Sequence, residues 1–280
     1  MKFKFLLLMF VPILFFSCNK TAKKAKTTGE PDVVIAYEDW SENKAFTLFA
    51  KYLLESKGYR VKTILVKNGL SALNAGKADV FLEKWMAKDI HVDGTEKLTV
   101  LGDIYQGGKL GLVVPNYMNI QSIEELKDMQ KEIGNKIYSV GQGTEAFSGL
   151  NEAHKRYDLT AELIHVSETE LFQLFDKRYM DRVPFCLTGW FPHPMLNKEY
   201  LKMLDDPYHA FETDYDLVKY CTRSWEKGHP KLFKFFKSYT FSEKQFNLLV
   251  KKMGENDWDL NKATVGWYKE LSPTFTKMLE

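Results

Sequence analysis

The chain has 280 residues, of which 45% are hydrophobic and 14% are aromatic. Its 39 Lys and Arg residues nearly balance 37 Asp and Glu residues, and such a neutral surface argues against a nucleic-acid partner. No repeat of solenoid length is visible, so the chain can form one large lobe or two medium-sized lobes.

The first residues predict an export signal followed by a tether. Residues 5–16 are an apolar run that is too short to cross a bilayer of about 30 Å as a permanent helix, so we expect residues 1–17 to be a signal peptide. The cysteine after this run resembles the end of a bacterial lipobox. Lipidation of Cys18 would anchor the exported protein in the cell envelope, in the periplasm or on the outer face of the membrane; plain secretion is the alternative. Residues 18–31 are polar and basic, which predicts a flexible tether.

The next predicted elements alternate between strand and helix. Strands are expected at 31–40, at 61–66 and in ADVFLEKW, with helices of amphipathic spacing between them. This β-α-β-α-β order predicts parallel strands with right-handed crossovers. Ligands of open α/β sheets bind beyond the carboxyl ends of such strands, where Trp40 and Trp85 occur.

A second set of elements repeats this order. A strand is expected at 108–118, followed by a helix at 122–129 that begins with a capping box, and a strand, glycine turn and helix occupy 137–157. The segment ELIHVSETELFQLFDKRYM predicts a strand followed by a helix, and the apolar stretch VPFCLTGW completes a second β-α-β-α-β set that ends at Trp190. From Tyr215 onward we expect one strand and then helices.

The stretch LTGWFPHPM fixes a large side chain at the end of a predicted strand. Gly189 precedes Trp190, and Pro192 and Pro194 stiffen the turn that follows. A glycine before the tryptophan and prolines after it favour a ring that is held in a fixed position and presented to a ligand.

A quaternary ammonium ion is the ligand that several indoles would suit. It has no N–H to donate, and the faces of aromatic rings attract it by about 0.5–2 kcal/mol per contact, with tryptophan the best. Three rings, together with burial of the methyl groups, are compatible with micromolar binding, about −8 kcal/mol. We therefore expect Trp40, Trp85 and Trp190 to form a cage; ordinary core packing is the alternative for Trp40 and Trp85.

The segment GQGTEAF could hold an anion near this cage. Gly141 and Gly143 permit a tight turn, and the backbone amides of Gly143 and Thr144 would point from the start of a helix. The segment lacks the lysine of a P-loop and the GxGxxG fingerprint. By itself it is a weak signal for an anion.

These motifs together resemble a known family. EDWSE, ALNAGKADVFLEKWM, GKLGLVVPNYM, SIEELK, VGQGTEAF and TGWFPHPM are similar to segments of the substrate-binding proteins of ABC importers for glycine betaine and related compatible solutes. The resemblance covers nearly all of residues 32–280. It implies an α/β fold of the two-lobe periplasmic-binding-protein type (type II, Venus-flytrap). Lobe 1 would contain residues 32–114 and 216–280, and lobe 2 residues 115–215.

The resemblance also implies ligand-binding residues and partners. Trp40, Trp85 and Trp190 would be the cage, and the Gly143 and Thr144 amides would hold a ligand carboxylate. The expected partners are a small quaternary ammonium molecule and an ABC permease in the membrane, with no nucleic acid. We expect a monomer without cofactor or metal.

Three positions bear on the choice of ligand. Betaine-type relatives have a histidine in a W-L-P-x-T-H pattern where this chain has WMAKDIH, so His91 is either a carboxylate partner or a surface-loop residue. Choline-binding relatives have W-T-D where this chain has W-S-E, so Glu42 fits the choline pattern. Leu110 fits the betaine pattern instead, and the glycine turn favours glycine betaine over choline or carnitine.

Several other residues have ordinary structural explanations. Glu42 and its acidic neighbours Glu38 and Asp39 would form a solvated rim, unless they attract the cation. Cys186 and Cys221 lie in apolar segments and are expected to be buried free thiols, with a disulfide as the alternative. The other residues expected to be structural are His193 and three packing tryptophans: Trp225, Trp258 and Trp267.

The predicted function is that of a lipid-anchored receptor that captures a quaternary ammonium solute and delivers it to a permease. A different class, an exported enzyme acting on such amines, would need a nucleophile, a metal or an acid–base pair, and none occurs at recognisable spacing. A sensor that kept the fold but lost transport is a third reading.

Overall fold

The computed structural model describes residues 29–88, 94–141, 143–193, 200–211 and 214–279. The predicted signal peptide, Cys18, most of the tether and His91 lie outside the described residues. Pro31–Glu280 form one compact unit. Within the described residues, no helix has the length and apolar character needed to cross a membrane.

Nine strands and nine α-helices are found in the described part of the chain. The strands are β1 Val33–Tyr37, β2 Val61–Leu65, β3 Val80–Ala87, β4 Leu98–Pro115, β5 Lys136–Val140, β6 Glu162–Val166, β7 Cys186–Phe191, β8 Leu201–Met203 and β9 Tyr215–Thr222. The helices are α1 Ser41–Ser56, α2 Gly69–Asn74, α3 Ile123–Leu126, α4 Glu145–Arg156, α5 Glu168–Met180, α6 Arg223–Gly228, α7 Pro230–Ser238, α8 Glu243–Glu255 and α9 Leu260–Thr276, and a short 3₁₀ helix, Lys277–Leu279, follows.

The strands pair in the order β2-β1-β3-β9-β4-β7-β5-β6, with β8 added to β4. Strand β1 is parallel to β2 and β3, and β5 is parallel to β6 and β7. The two predicted β-α-β-α-β sets are therefore confirmed. Strands β4 and β9 are antiparallel to each other and connect the two sets, because β9 pairs with β3 and β4 pairs with β7.

Each parallel set packs against its own hydrophobic core. One core joins β1 and β3 to α1 and the C-terminal helices, and it centres on aromatic side chains such as Phe46, Phe49 and Trp267. The other joins β5 and β7 to α4 and α5. Burial of each such large side chain stabilises the fold by about 1.5–3 kcal/mol. Trp225 and Trp267 are buried, and Trp258 is half-buried against both cores, which confirms that these three tryptophans are packing residues.

Strand β4 is longer than the predicted strand at 108–118. It spans 18 residues, and its pairing with β9 shifts register beside Gly102 and Gly107. These glycines have φ values of 89° and 78°, which a side chain disfavours, so they mark bulges within one strand. The predicted helix at 122–129 is shorter, since α3 ends at Leu126, but its capping box is confirmed.

The two described cysteines are free and buried in separate cores. Cys186 lies on β7 and Cys221 on β9. Burial raises the pKa of both thiols, that of Cys221 to about 12, so both are inert at neutral pH. The expectation of free thiols is confirmed.

Lys219 of β9 is fully buried, which is rare for a lysine. Its Nζ atom donates hydrogen bonds to the carbonyl oxygens of Tyr239 at 2.6 Å and Lys237 at 3.3 Å, at the end of α7. Burial lowers the pKa of Lys219 to about 7, while the charge of Asp103 opposes this effect. The side chain thus connects β9 to the end of a helix.

We expect Lys219→Met to lower the free energy of unfolding by about 1–3 kcal/mol, because two carbonyl groups lose their donor. Denaturant unfolding measures this change. Lys62→Met, at an exposed position of β2, is the control and should change stability by less than about 0.5 kcal/mol. Equal effects of the two substitutions would contradict a structural role for Lys219.

Candidate ligand-binding site

The three predicted cage tryptophans line one cavity of about 320 Å³. Trp40 precedes the first turn of α1, Trp85 lies near the end of β3, and Trp190 lies near the end of β7. The rings of Trp40 and Trp190 are 5.7 Å apart at 83°, and Trp85 packs edge-on against Tyr215 at 5.5 Å. Trp40 and Trp85 are half-buried. Both rings pack against the core around β5 and β7, and both also line the cavity.

Each of the three indoles faces a carboxyl group through its N–H. Trp190 Nε1 donates to Glu42 Oε1 at 2.9 Å, and Trp85 Nε1 donates to Glu83 Oε1 at 2.9 Å. A hydrogen bond from Trp40 lowers the pKa of Glu38, although burial raises this pKa overall. Such hydrogen bonds fix the edges of the rings, which constrains the orientation of their faces.

Glu42 is buried, so the expectation of a solvated rim is wrong for this residue. Its side chain is only 1% exposed, and it lies in the first turn of α1, whose partial positive charge favours an acidic side chain. Burial raises the pKa of Glu42 well above its ordinary value, and the charges of Glu83 and Glu168 add to this rise. Glu38 is half-buried, and Asp39 is exposed and pairs with Lys44 at 2.6 Å.

A second hydrogen-bond network holds the His193 ring against Trp190. Glu168 Oε1 accepts the backbone N–H of Ser41 at 3.2 Å and lies 3.0 Å from His193 Nε2. The His193 ring contacts Trp190 at 4.3 Å and stacks on Phe172 at 5.4 Å. The structural interpretation of His193 is thus confirmed, because this buried ring supports a cage wall.

This network also contains the residues that could be considered as metal ligands. Atoms of Glu42, Glu168 and His193 lie within 4.8 Å of one another. The Oε1 atoms of both carboxyl groups already accept hydrogen bonds from protein N–H groups. The contacts therefore describe a hydrogen-bond network between α1, α5 and the end of β7.

The start of α4 contributes another part of the cavity lining. Gly143, Thr144 and the first residues of α4 line the cavity, as do Lys67 and Lys84. Thr144 is the N-cap of α4: its Oγ1 atom accepts the Phe147 N–H at 3.2 Å. The N-terminus of this helix, which has 12 residues, carries partial positive charge at the cavity. An anionic group could bind there.

Two acidic residues of the site, Glu83 and Glu168, were not predicted from the sequence. Glu83 stands two residues before Trp85, and alternate residues of a strand share a face, so this spacing could have revealed Glu83. Glu168 lies 127 residues from Ser41, and no local pattern links the two. Leu110, named for the betaine pattern, does line the cavity, on the strand that pairs with Trp190. His91 lies outside the described residues.

Comparison with known proteins agrees with this geometry. The family profile described as the substrate-binding domain of ABC-type glycine betaine transport systems (OpuAC) matches residues 31–270. The glycine betaine/carnitine transport binding protein GbuC of Listeria monocytogenes is 23% identical over 149 residues, which are 51% of this chain and 49% of that protein. The chain thus matches about half the length of this relative.

Solved structures show the same fold. Lactococcal OpuAC in a closed conformation with glycine betaine has a TM-score of 0.74 and 22% identity, covering 89% of this chain and 99% of that chain. ProX from Borrelia burgdorferi has a TM-score of 0.72 and 23% identity, with the same coverage. A choline-binding protein in complex with choline has a TM-score of 0.69 and 20% identity, covering 86% and 89%. The predicted type II periplasmic-binding-protein fold is confirmed.

Proposed function

The chain belongs to the family of substrate-binding domains of ABC-type glycine betaine transport systems, and we propose that it captures glycine betaine or a closely related quaternary ammonium solute for delivery to an ABC permease. The observation that carries this proposal is the convergence of Trp40, Trp85 and Trp190 on one cavity. A volume of about 320 Å³ is at the small end of ligand pockets and suits a compact solute.

The cavity lining combines two kinds of group, which supports a zwitterionic ligand. The indole faces, with Glu38, Glu42 and Glu83 beside them, would attract a methylated cation. The amides of Gly143 and Thr144 at the start of α4 would hold a carboxylate. Glycine betaine has one group of each kind.

The two cores support a two-lobe mechanism. In this proposal, residues 32–114 and 216–280 form lobe 1, and residues 115–215 form lobe 2. The Trp190–Glu42 and Ser41–Glu168 hydrogen bonds then connect the lobes across the cleft. A ligand that touches both lobes shifts the open–closed equilibrium, because only differential affinity can do so.

Choline and carnitine are the second candidates. The carboxyl groups of Glu42 and Glu83 line the cavity, and they could accept a hydrogen bond from a ligand hydroxyl. A solved relative of the same fold binds choline, and GbuC is named for carnitine as well as glycine betaine.

The cellular setting of the receptor is part of the proposal. Export by residues 1–17 and acylation of Cys18 would hold the protein at the membrane, within reach of the permease, through a tether that ends near residue 31. We propose that the receptor acts as a monomer. The family is one of transport binding proteins, which favours capture over the rival hypothesis of an exported enzyme.

Calorimetric titration of the purified chain with glycine betaine, proline betaine, carnitine and choline tests the proposal directly. We expect micromolar binding of at least one of these ligands, because three indole faces and burial of the methyl groups provide enough free energy. Glycine, which lacks the methyl groups, is the control. Absence of binding by all four amines at millimolar concentration would refute the proposal.

Substitutions of Trp190 test whether the ring face attracts the cation. Trp190→Ala should weaken binding at least about tenfold, or 1.4 kcal/mol, whereas Trp190→Phe should lose less because an aromatic face remains. Trp258→Phe, remote from the cavity lining, is the matched control. If Trp190→Ala and Trp190→Phe lose equal affinity, the ring is only a spacer.

Gly143→Ala tests the carboxylate end. Gly143 has a φ of 88°, and no atom lies within 4 Å of an added Cβ, so the substitution strains the backbone without a steric clash. The displaced turn should weaken the binding of glycine betaine more than the binding of choline, because choline has no carboxylate. Parallel titrations measure the ratio, and Gly228→Ala, which also has free space, is the control. An unchanged ratio would place the carboxylate elsewhere.

A further inference from the structure

Two neighbouring carboxyl groups line the ligand cavity together with the cage tryptophans. Glu42, from the first turn of α1, and Glu83, from β3, are 1% and 5% exposed. In each, the Oε1 atom accepts an indole N–H at 2.9 Å. Among the described residues, neither Oε2 atom has a hydrogen-bond partner of good geometry, although both side chains line the ligand cavity.

Burial of two neighbouring carboxylates without a cation is costly. The charge of one disfavours ionisation of the other, and burial adds to this cost, so such a pair retains a proton. Burial raises the pKa of Glu83 to about 8; the charge of Glu38 adds to the rise, and contacts with Trp85, Asn43 and Glu42 oppose it. At neutral pH the pair therefore holds at least one proton.

Other titratable groups lie near the pair or along the same cavity. Near one or both carboxyl groups, or along the same cavity, lie the following side chains: Glu38 after β1, Lys67 before α2, Lys84 on β3, Glu145 at the start of α4, Glu168 on α5 and His193 after β7. Because the two lysines are opposed by three further carboxyl groups, these neighbours do not replace the missing positive charge.

The pair is assembled without the second core. Strand β3 and helix α1 both pack in the core that contains β1, and Trp85 follows Glu83 on the same strand. Trp190, Glu168, Glu145 and His193 come from or follow elements of the other core. Both members of the pair therefore come from elements that pack in one core.

We propose that Glu42 and Glu83 form a proton-sharing carboxyl pair that orients two cage indoles and releases its proton when the quaternary ammonium ion enters. The second part of this proposal, release of the proton on ligand binding, rests on the proposed function. The cation replaces the proton as the neutralising charge: the O–H bond breaks, the proton passes to the solvent buffer, and the carboxylate remains beneath the bound ammonium. Ligand affinity then increases as the pH rises from 6 to 8.

Calorimetry with glycine betaine in buffers of different ionisation enthalpy, such as phosphate and Tris near pH 7, counts the protons. We expect net proton release by the wild type. Glu83→Gln keeps an oxygen for the Trp85 N–H but cannot titrate, so it should bind the ligand with less proton release and a flatter pH profile; Glu42→Gln should behave similarly. Glu55→Gln, an exposed position on the same helix α1, is the matched control and should release as many protons as the wild type.

A measurement on the ligand-free protein separates this inference from the proposed function. A carboxyl group whose pKa is raised by folding stabilises the protein at low pH, and this contribution is lost as the pH rises from about 4.5 to 8. The melting temperature of the wild type should therefore fall relative to that of Glu83→Gln across this range. The proposed proton-sharing pair would be refuted by ligand binding without proton exchange. Parallel melting temperatures of the wild type and Glu83→Gln across this pH range would refute it as well. If the profiles diverge but no amine binds, the pair stands as a proton-holding element and the proposed function fails.

Discussion

The hydrogen bond between an indole N–H and a buried carboxyl group determines the shape of the binding cavity. Attraction between a cation and an aromatic ring depends on the orientation of the ring face. Trp85 and Trp190 are each held at the N–H edge by a glutamate, Glu83 and Glu42. A negatively charged acceptor at this edge also increases the electron density of the ring. In the proposed function, the same contact would orient the ring and, once the carboxyl group is ionised, strengthen the attraction of the ring for a methylated cation.

This arrangement requires distant segments of the chain to meet. Trp190 and Glu42 are 148 positions apart, and they come together because β4 and β9 join the two parallel strand sets into one sheet. Trp40 precedes α1, which packs in the core around β1, whereas Trp190 lies on β7 in the other core. In the proposed two-lobe mechanism a ligand between these rings would contact both lobes, which is the physical requirement for a binding-coupled closure.

The sequence predicted the parts of the molecule that rest on local patterns. The parallel strand sets follow from alternating strand and helix signals, and Trp190 was identified because Gly189 and Pro192 punctuate its strand. The full length of β4 was not predicted, because the strand continues through Gly102 and Gly107, where it forms bulges. Burial of Glu42 could not be predicted either, because it depends on contacts with residues more than 40 positions away.

In the proposed site, zwitterions and simple cations would depend on different groups. A zwitterion would satisfy both the amides at the start of α4 and the indole faces, so it would need little additional charge from the protein. A simple cation such as choline would leave those amides without an anion and would depend more on the carboxyl groups beside the cage. Protonation of Glu42 and Glu83 would therefore weaken the binding of a cation more than the binding of a zwitterion, because a neutral pair leaves the cation only the ring faces. In this way, the residues that position the indoles would also set the preference among quaternary ammonium solutes.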